Sequence, residues 1–561
     1  MKKTFMLFIL LSCTFSAQYT DISIVKEVKV KNKGVIVSAH PLASEAGARI
    51  LKMGGNAYDA IVATQYALAV VYPQAGNIGG GGFLVGVKNN GEKFTIDYRE
   101  TAPQKAFHDM YVDKNGKADT DLSQNGRLAA GVPGSVAGFF ATLKYCRLPM
   151  DQLIRPAIDL AEKGFAITEQ EAGLLNMGKT YFQKHNTSPI AFVKNTPWKT
   201  GDILVQKQLA ETLKLIRKQG IKGFYEGRTA ELLAAEMKKG NGIISLQDLK
   251  NYKAVERKAL EFNYKGHTVV SMPLPSSGGI LLAQMLTMAS YENLEKYRQN
   301  STKAVQIMVE AERRAYADRA EYMGDPDFID DQTAYLISDP YLKNRWRSFS
   351  FSKATPSSEV GKIIKQPGES TETTHISVLD KEGNAAAVTT TLNGLYGSKV
   401  VVSGAGFFLN NEMDDFSIKP GVPNMFGAVG GEANAIRPNK RMLSSMTPTI
   451  VLKNGKPYMV VGTPGGTTIP TSVYQSIVNV IDFKLNANTS VNAPKFHHQW
   501  LPDTVAFENN FPETTVMDLE KLGYKAESWN QIGRTEMILA DDNGMVHAVA
   551  DGRGDDSVAV E

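Results

Sequence analysis

The feature that most constrains this chain is a change of hydrophobic period part-way along it. Upstream, the stretch from about 149 to 347 carries apolar residues at helical spacing, in segments such as 153–163 and 305–321. Downstream, 374–379, 385–392, 448–452 and 458–462 alternate or run β-branched, which is strand patterning. Between them, from about 348 to 372, Ser, Thr, Lys, Pro and Gly dominate and no period survives. That composition predicts an exposed loop or linker. Helices gathered before the break and strands after it predict a layered α+β fold.

Local signals sharpen the picture. A helix opens at Ser44-Glu45 and ends at Gly54-Gly55, and Asn56 then caps a second helix over 57–71, stopped by Pro73. That second helix is apolar on most sides, so it belongs between layers. Gly76 and Gly79 to Gly82 precede two strand-like runs, 83–85 and 94–98, around Asn89-Asn90-Gly91, a hairpin signal. Asn454-Gly455 marks another hairpin, and Gly465-Gly466 leads into a helix over 467–483.

Charge and targeting bound the function. The 561 residues are 43% hydrophobic and 21% charged, with a net charge of +4. No element concentrates Lys and Arg as a nucleic-acid footprint requires. At the N-terminus Lys2 and Lys3 precede a short apolar run and then small residues. This reads as a secretory signal peptide over 1–17, too short for a membrane span, and no later segment has the apolar length of one. Leu10-Leu11-Ser12-Cys13 also loosely resembles a lipobox, which would place a lipid on Cys13. The expected location is therefore periplasmic or secreted, free or lipid-anchored. Cys146 is the other cysteine, with no catalytic signature around it.

The chemistry concentrates where the linker meets the first downstream strand, at Ser370-Thr371-Glu372-Thr373-Thr374-His375. A three-residue loop ending in Gly383 pairs Asp380 with Asn384. Counting outward seven residues on each side sets Thr391 across from Thr373, two hydroxyls within reach of one another. A hydroxyl needs a base beside it to act as a nucleophile. If the chain is cut before Thr373, the new α-amino group, with an ordinary pKa of about 7.7–8.0, is that base. Thr–Thr pairs also recur in sheets with no catalytic meaning.

Several motifs decide between these readings. Thr373-Thr374-His375, Leu409-Asn410-Asn411-Glu412-Met413-Asp414-Asp415-Phe416, Lys440-Arg441-Met442-Leu443-Ser444-Ser445 and Gly462-Thr463-Pro464-Gly465-Gly466 resemble those of the gamma-glutamyltranspeptidases, in family order. Ala75-Gly76-Asn77-Ile78-Gly79-Gly80-Gly81-Gly82-Phe83 and Asp97-Tyr98-Arg99-Glu100-Thr101-Ala102-Pro103 extend the resemblance to the N-terminal part. The resemblance implies the N-terminal nucleophile hydrolase fold, a four-layer α/β/β/α sandwich. It implies a precursor cut between Glu372 and Thr373 into a large subunit, 18–372, and a small one, 373–561, that remain together as a heterodimer.

By the same resemblance Thr373 is the nucleophile, Thr391 its hydroxyl partner, and Gly465 and Gly466 the oxyanion donors. Two glycines opening a helix suit that task. Arg99 matches the residue that holds the substrate α-carboxylate; Asn393, Glu412 and Asp415 match positions around the α-amino group, and Ser444 and Ser445 positions beside the carboxylate. The stretch 421–443 resembles a lid, with Phe426 where many bacterial members carry Tyr. The implied substrates are glutathione and other γ-glutamyl amides, with water, an amino acid or a dipeptide as acceptor, and no cofactor or metal. Two rivals stand beside this reading: an acylase of the same fold acting on glutaryl-type β-lactam side chains, and a non-catalytic exported binding protein. Elsewhere, Ser276-Ser277-Gly278-Gly279 reads as a loop, and His497-His498 as packing near Trp500.

Overall fold

The computed structural model describes residues 23–361 and 373–561. The expected signal peptide with Cys13, and Glu372 of the expected cleavage bond, lie outside the described residues.

Two seven-stranded sheets form the centre. In one, the order is Ser557–Val560, Val35–Ser38, Thr374–Leu379, Ala385–Thr391, Gly81–Val87, Lys93–Asp97 and Val255–Arg257. In the other it is Glu27–Lys31, Met545–Val549, Glu536–Ala540, Lys456–Gly462, Thr449–Lys453, His267–Ser271 and Leu260–Tyr264. Both are antiparallel throughout.

The two-residue period of the strands sorts their side chains into layers. Val37, Val85, Leu379, Ala387, Ile450, Val460 and Ile538 share one core between the sheets. Their neighbours Ile36, Leu84, Val378 and Ala386 face outward into a second core with helices Pro41–Lys52, Ala57–Val71 and Met150–Lys163. On the opposite side Val451, Met459, Val461 and Met537 pack under Gly278–Ser290, Thr302–Tyr322 and Thr468–Ile481. The stack is α/β/β/α, the α+β architecture expected. Helix Ala57–Val71 is buried at every residue, and Asn56 and Asp59 close a capping box at its start.

Two expectations need correction. The middle of the chain is mostly helical as read, but it also holds strands the reading did not pick out, Val255–Arg257, Leu260–Tyr264 and His267–Ser271, which form one edge of each sheet. In Leu260–Tyr264 the end residues are buried while Glu261 and Asn263 face out, so the two-residue period was present but too short to stand out among helices. Part of the supposed exposed linker also packs. Thr355, Ser357 and Val360 are buried, and Ser357 Oγ donates to the Trp500 carbonyl at 2.6 Å.

Candidate active site

The hairpin that carries Thr373 folds as its loop chemistry requires. Gly383 has φ +90°, the left-handed conformation glycine adopts without penalty. Asp380 Oδ1 accepts from the Glu382 and Asn384 amides, and the Asp380 N–H donates to the Asn384 carbonyl at 3.0 Å. The register runs from Leu379 opposite Ala385 to Thr374 opposite Thr390, so one step further sets Thr373 across from Thr391. By strand parity both lie on the side of Ser377 and Ala387, facing the other sheet at the end of the sandwich. Each is 3% exposed, and both line the same cleft. Thr391 Oγ1 accepts from the Asn393 N–H at 2.8 Å, which fixes its side chain, and Asn393 is held at φ +75°.

Beneath the pair, His375 bridges the sheets. Its ring meets Thr389 Oγ1 at 2.8 Å and Ser377 Oγ at 3.2 Å, and complete burial lowers its pKa to about 3. A neutral, enclosed ring of this kind is a structural spacer. Gly462 on the facing sheet makes room for it: a Cβ there would come within 2.1 Å of the ring.

The second wall follows strand Lys456–Gly462. Gly465 and Gly466 have φ +138° and +56°, and their carbonyls accept from the Thr468 and Ile469 amides as helix Thr468–Ile481 begins. Gly466 and Thr467 line the cleft; Gly465 stands one residue behind. Among the described residues neither glycine N–H has an acceptor, an arrangement that suits a developing oxyanion. Phe426 lies over Gly466, so close that a Cβ on the glycine would approach its ring to 2.4 Å. The segment around Phe426 is therefore anchored over the cleft without an aromatic hydroxyl. Asn424 Nδ2 donates to Asp415 Oδ1 at 2.9 Å, the Met425 N–H to Asp414 Oδ2 at 2.8 Å, and Gln499 Nε2 to the Phe426 carbonyl at 3.2 Å.

The third wall is charged. Arg99 leaves strand Lys93–Asp97 fully buried, with one guanidinium nitrogen 2.6 Å from Glu412 and the other bonded to Asp415. Burial disfavours its charge, but the carboxylates of Glu412, Asp415 and Glu100 outweigh that and hold its pKa above the usual value. Desolvation pushes the Glu100 carboxyl up to about 8 and Glu412 well above its ordinary range, with Arg99 opposing both. Ser444 and Ser445 complete this end. Arg99, Asn393, Asp415, Ser444 and Ser445 all line the cleft, whereas Glu412 sits behind Arg99. An arginine ringed by carboxylates, with two hydroxyls beside it, matches a zwitterion.

Sequence reasoning missed Arg319, which reaches the cleft from helix Thr302–Tyr322, and Asn424, which ties its own segment to Asp415. Nothing in their local patterns marked them; Arg319 looks like any charged residue of a long helix. Of the expected loop Ser276-Ser277-Gly278-Gly279 only Ser276-Ser277 is one, since Gly278 and Gly279 open helix Gly278–Ser290; it abuts the site, where Ser277 Oγ accepts from Arg319 Nε at 3.1 Å. His497 and His498 are buried, and the Trp500 N–H donates to His498 Nδ1 at 3.0 Å. Cys146 is half-buried outside the cleft, and desolvation raises its thiol pKa far from the thiolate range.

A family model described as Gamma-glutamyltranspeptidase matches residues 43–561. A glutathione hydrolase proenzyme of Escherichia coli (strain K12) is 46% identical over 529 residues, 94% of this chain and 91% of that protein. One from Pseudomonas aeruginosa is 43% identical over 539 residues, 93% of each. Among solved structures, cephalosporin acylase from Bacillus halodurans is similar at TM-score 0.84 and 25% identity, over 97% of this chain and 99% of that one. Helicobacter pylori gamma-glutamyltranspeptidase is similar at TM-score 0.57 and 42% identity, over 63% of this chain and 100% of that one.

Proposed function

The chain belongs to the gamma-glutamyltranspeptidase family and is an enzyme of the glutathione hydrolase class. On that premise we propose that it takes the γ-glutamyl group from glutathione and related amides through an ester on Thr373. In the precursor, Thr373 Oγ attacks the carbonyl carbon of Glu372, and the peptide nitrogen leaves as the α-amino group. Water then opens the ester and frees residues 373–561 as the small subunit, which stays with 18–372. In turnover the α-amino group takes the Thr373 proton, Oγ attacks the γ-carbonyl, and the leaving amine carries that proton away. Gly466, with Gly465 behind it, stabilises the oxyanion, and Thr391 holds the nucleophile in position. Water completes hydrolysis; an amino acid or dipeptide completes transfer. The leader-like residues 1–17 support export to the periplasm or medium.

The observation that carries this reading is one cleft in which the opposed threonines, the Gly466 wall and the Arg99 pocket meet. The pocket also separates it from the acylase alternative, which fold likeness alone leaves open. A glutaryl group has no α-ammonium to meet Asp415, and no α-carboxylate for Arg99. Assays on γ-glutamyl and glutaryl anilides side by side test the point. Faster turnover of the γ-glutamyl compound is expected, and preference for the glutaryl one would overturn the reading.

A further inference from the structure

Arg319 is a charged residue of the cleft that the proposed chemistry leaves without a task. It is 7% exposed, on the last turn of helix Thr302–Tyr322, and it lines the same cleft as Arg99. Unlike Arg99, it has no carboxylate within ion-pair distance among the described residues. Its partners are hydroxyls: Nε donates to Ser277 Oγ at 3.1 Å and Nη2 to Ser445 Oγ at 3.2 Å. Burial lowers its pKa, so this charge is kept at a cost and without an ion pair.

Donor counting shows what the arrangement achieves. A guanidinium has only donors, so Ser445 Oγ must accept from it, and the serine's own proton is left to point elsewhere. Ser277, fixed as an acceptor in the same way, passes its proton to the Ser444 carbonyl at 2.8 Å. Ser444 Oγ in turn accepts from the Met446 N–H at 3.1 Å. Neither Ser444 Oγ nor Ser445 Oγ donates to any described residue. Both hydroxyls at the head-group end are thus set to donate into the cleft, beside Arg99, where an anionic oxygen belongs.

We propose that Arg319 is a positioning residue for the substrate α-carboxylate: it polarises Ser445 into a donor and adds a second positive charge to a pocket whose first arginine is already engaged by Glu412 and Asp415. This rests on the γ-glutamyl reading of the cleft, and the test keeps the two apart. The donors are γ-glutamyl anilide and 4-aminobutyryl anilide, which differ only in the α-carboxylate. Parent enzyme that cleaves the first and discriminates against the second upholds the reading; failure to cleave the first refutes it before any variant is made.

Arg319→Gln is then expected to raise KM for the γ-glutamyl donor about tenfold, the scale of one charged hydrogen bond. Its kcat should stay within about threefold, and its parameters on the 4-aminobutyryl donor should not move. Arg319→Lys, which keeps the charge but not the fork, should show the same selective loss in smaller degree; it carries the decision alone if the Gln variant does not fold. Adding Ser445→Ala to Arg319→Gln should cost little more, because losing Arg319 already frees the Ser445 hydroxyl from its orientation toward the cleft. Equal loss on both donors from whichever variant folds, or full additivity with Ser445→Ala, would overturn the proposal.

Discussion

At single residues the site depends on charge and on the space beside Gly466. Arg99 meets its carboxylates as a fork, so Arg99→Lys should weaken γ-glutamyl donor binding. The loss of a charge-assisted pair is about 1.5–3 kcal/mol, or roughly ten- to a hundredfold in KM, with self-cleavage unaffected. Unchanged KM in steady-state kinetics would remove Arg99 from the head-group site. Gly466→Val forces a Cβ into the Phe426 ring and needs φ +56° from a β-branched residue. Turnover should fall about a hundredfold, the usual cost of one oxyanion donor; an unchanged kcat would mean the Gly466 amide points elsewhere. Glu100 carries a pH signature. Its carboxyl is raised to about 8 by burial, from an ordinary 4.5. The folded state therefore holds a proton that the unfolded chain releases, and stability declines as pH rises between those values. Glu100→Gln should flatten the fall in thermal midpoint between pH 5 and pH 8, and an identical fall in both proteins would contradict the assignment.

At the scale of elements, the clearest sequence signals were local ones. The Asp380–Gly383 loop and the Asn454-Gly455 turn depend on a few residues with special φ, and from the first of them the Thr373–Thr391 register follows by counting. The Ala57–Val71 helix was legible because Asn56, Asp59 and Pro73 punctuate it. Strands Val255–Arg257 through His267–Ser271 were not: Val255–Arg257 and His267–Ser271 pair with the distant Lys93–Asp97 and Thr449–Lys453, and although Leu260–Tyr264 forms a local hairpin with His267–Ser271, three to five residues carry little period. The site behaved in the same way. The residues within motifs were readable, while Arg319, on a helix from a distant part of the chain, became visible only once the fold brought it to Ser445. The two sheets also set a packing limit that no local pattern displays: Gly462 faces the His375 ring. Gly462→Ala should destabilise the fold by about 1–3 kcal/mol through overpacking, read as a lower thermal midpoint. The parent's midpoint in that variant would show that the ring has room to move.

At the scale of the whole molecule, the proposed cut falls where separation is hardest. Strand Thr374–Leu379 of the expected small subunit lies between Val35–Ser38 of the large one and its own hairpin partner, which pairs in turn with Gly81–Val87 of the large one. In the other sheet, four small-subunit strands are flanked by Glu27–Lys31 on one side and by His267–Ser271 and Leu260–Tyr264 on the other. The two pieces share both sheets and all three layers of core, so they are expected to part only on unfolding. Interleaving of this kind fits a chain that folds first and is cut afterwards, and the proposed agent of the cut is Thr373 of the folded site. The central claim is that one hydroxyl, on Thr373, performs both the cut and the later turnover. Its most direct test is the intact mass, under denaturing conditions, of purified Thr373→Ala beside the parent. Two masses meeting between Glu372 and Thr373 are expected for the parent and one uncut chain for the variant; two fragments from Thr373→Ala with that same junction would contradict a cut made by Thr373.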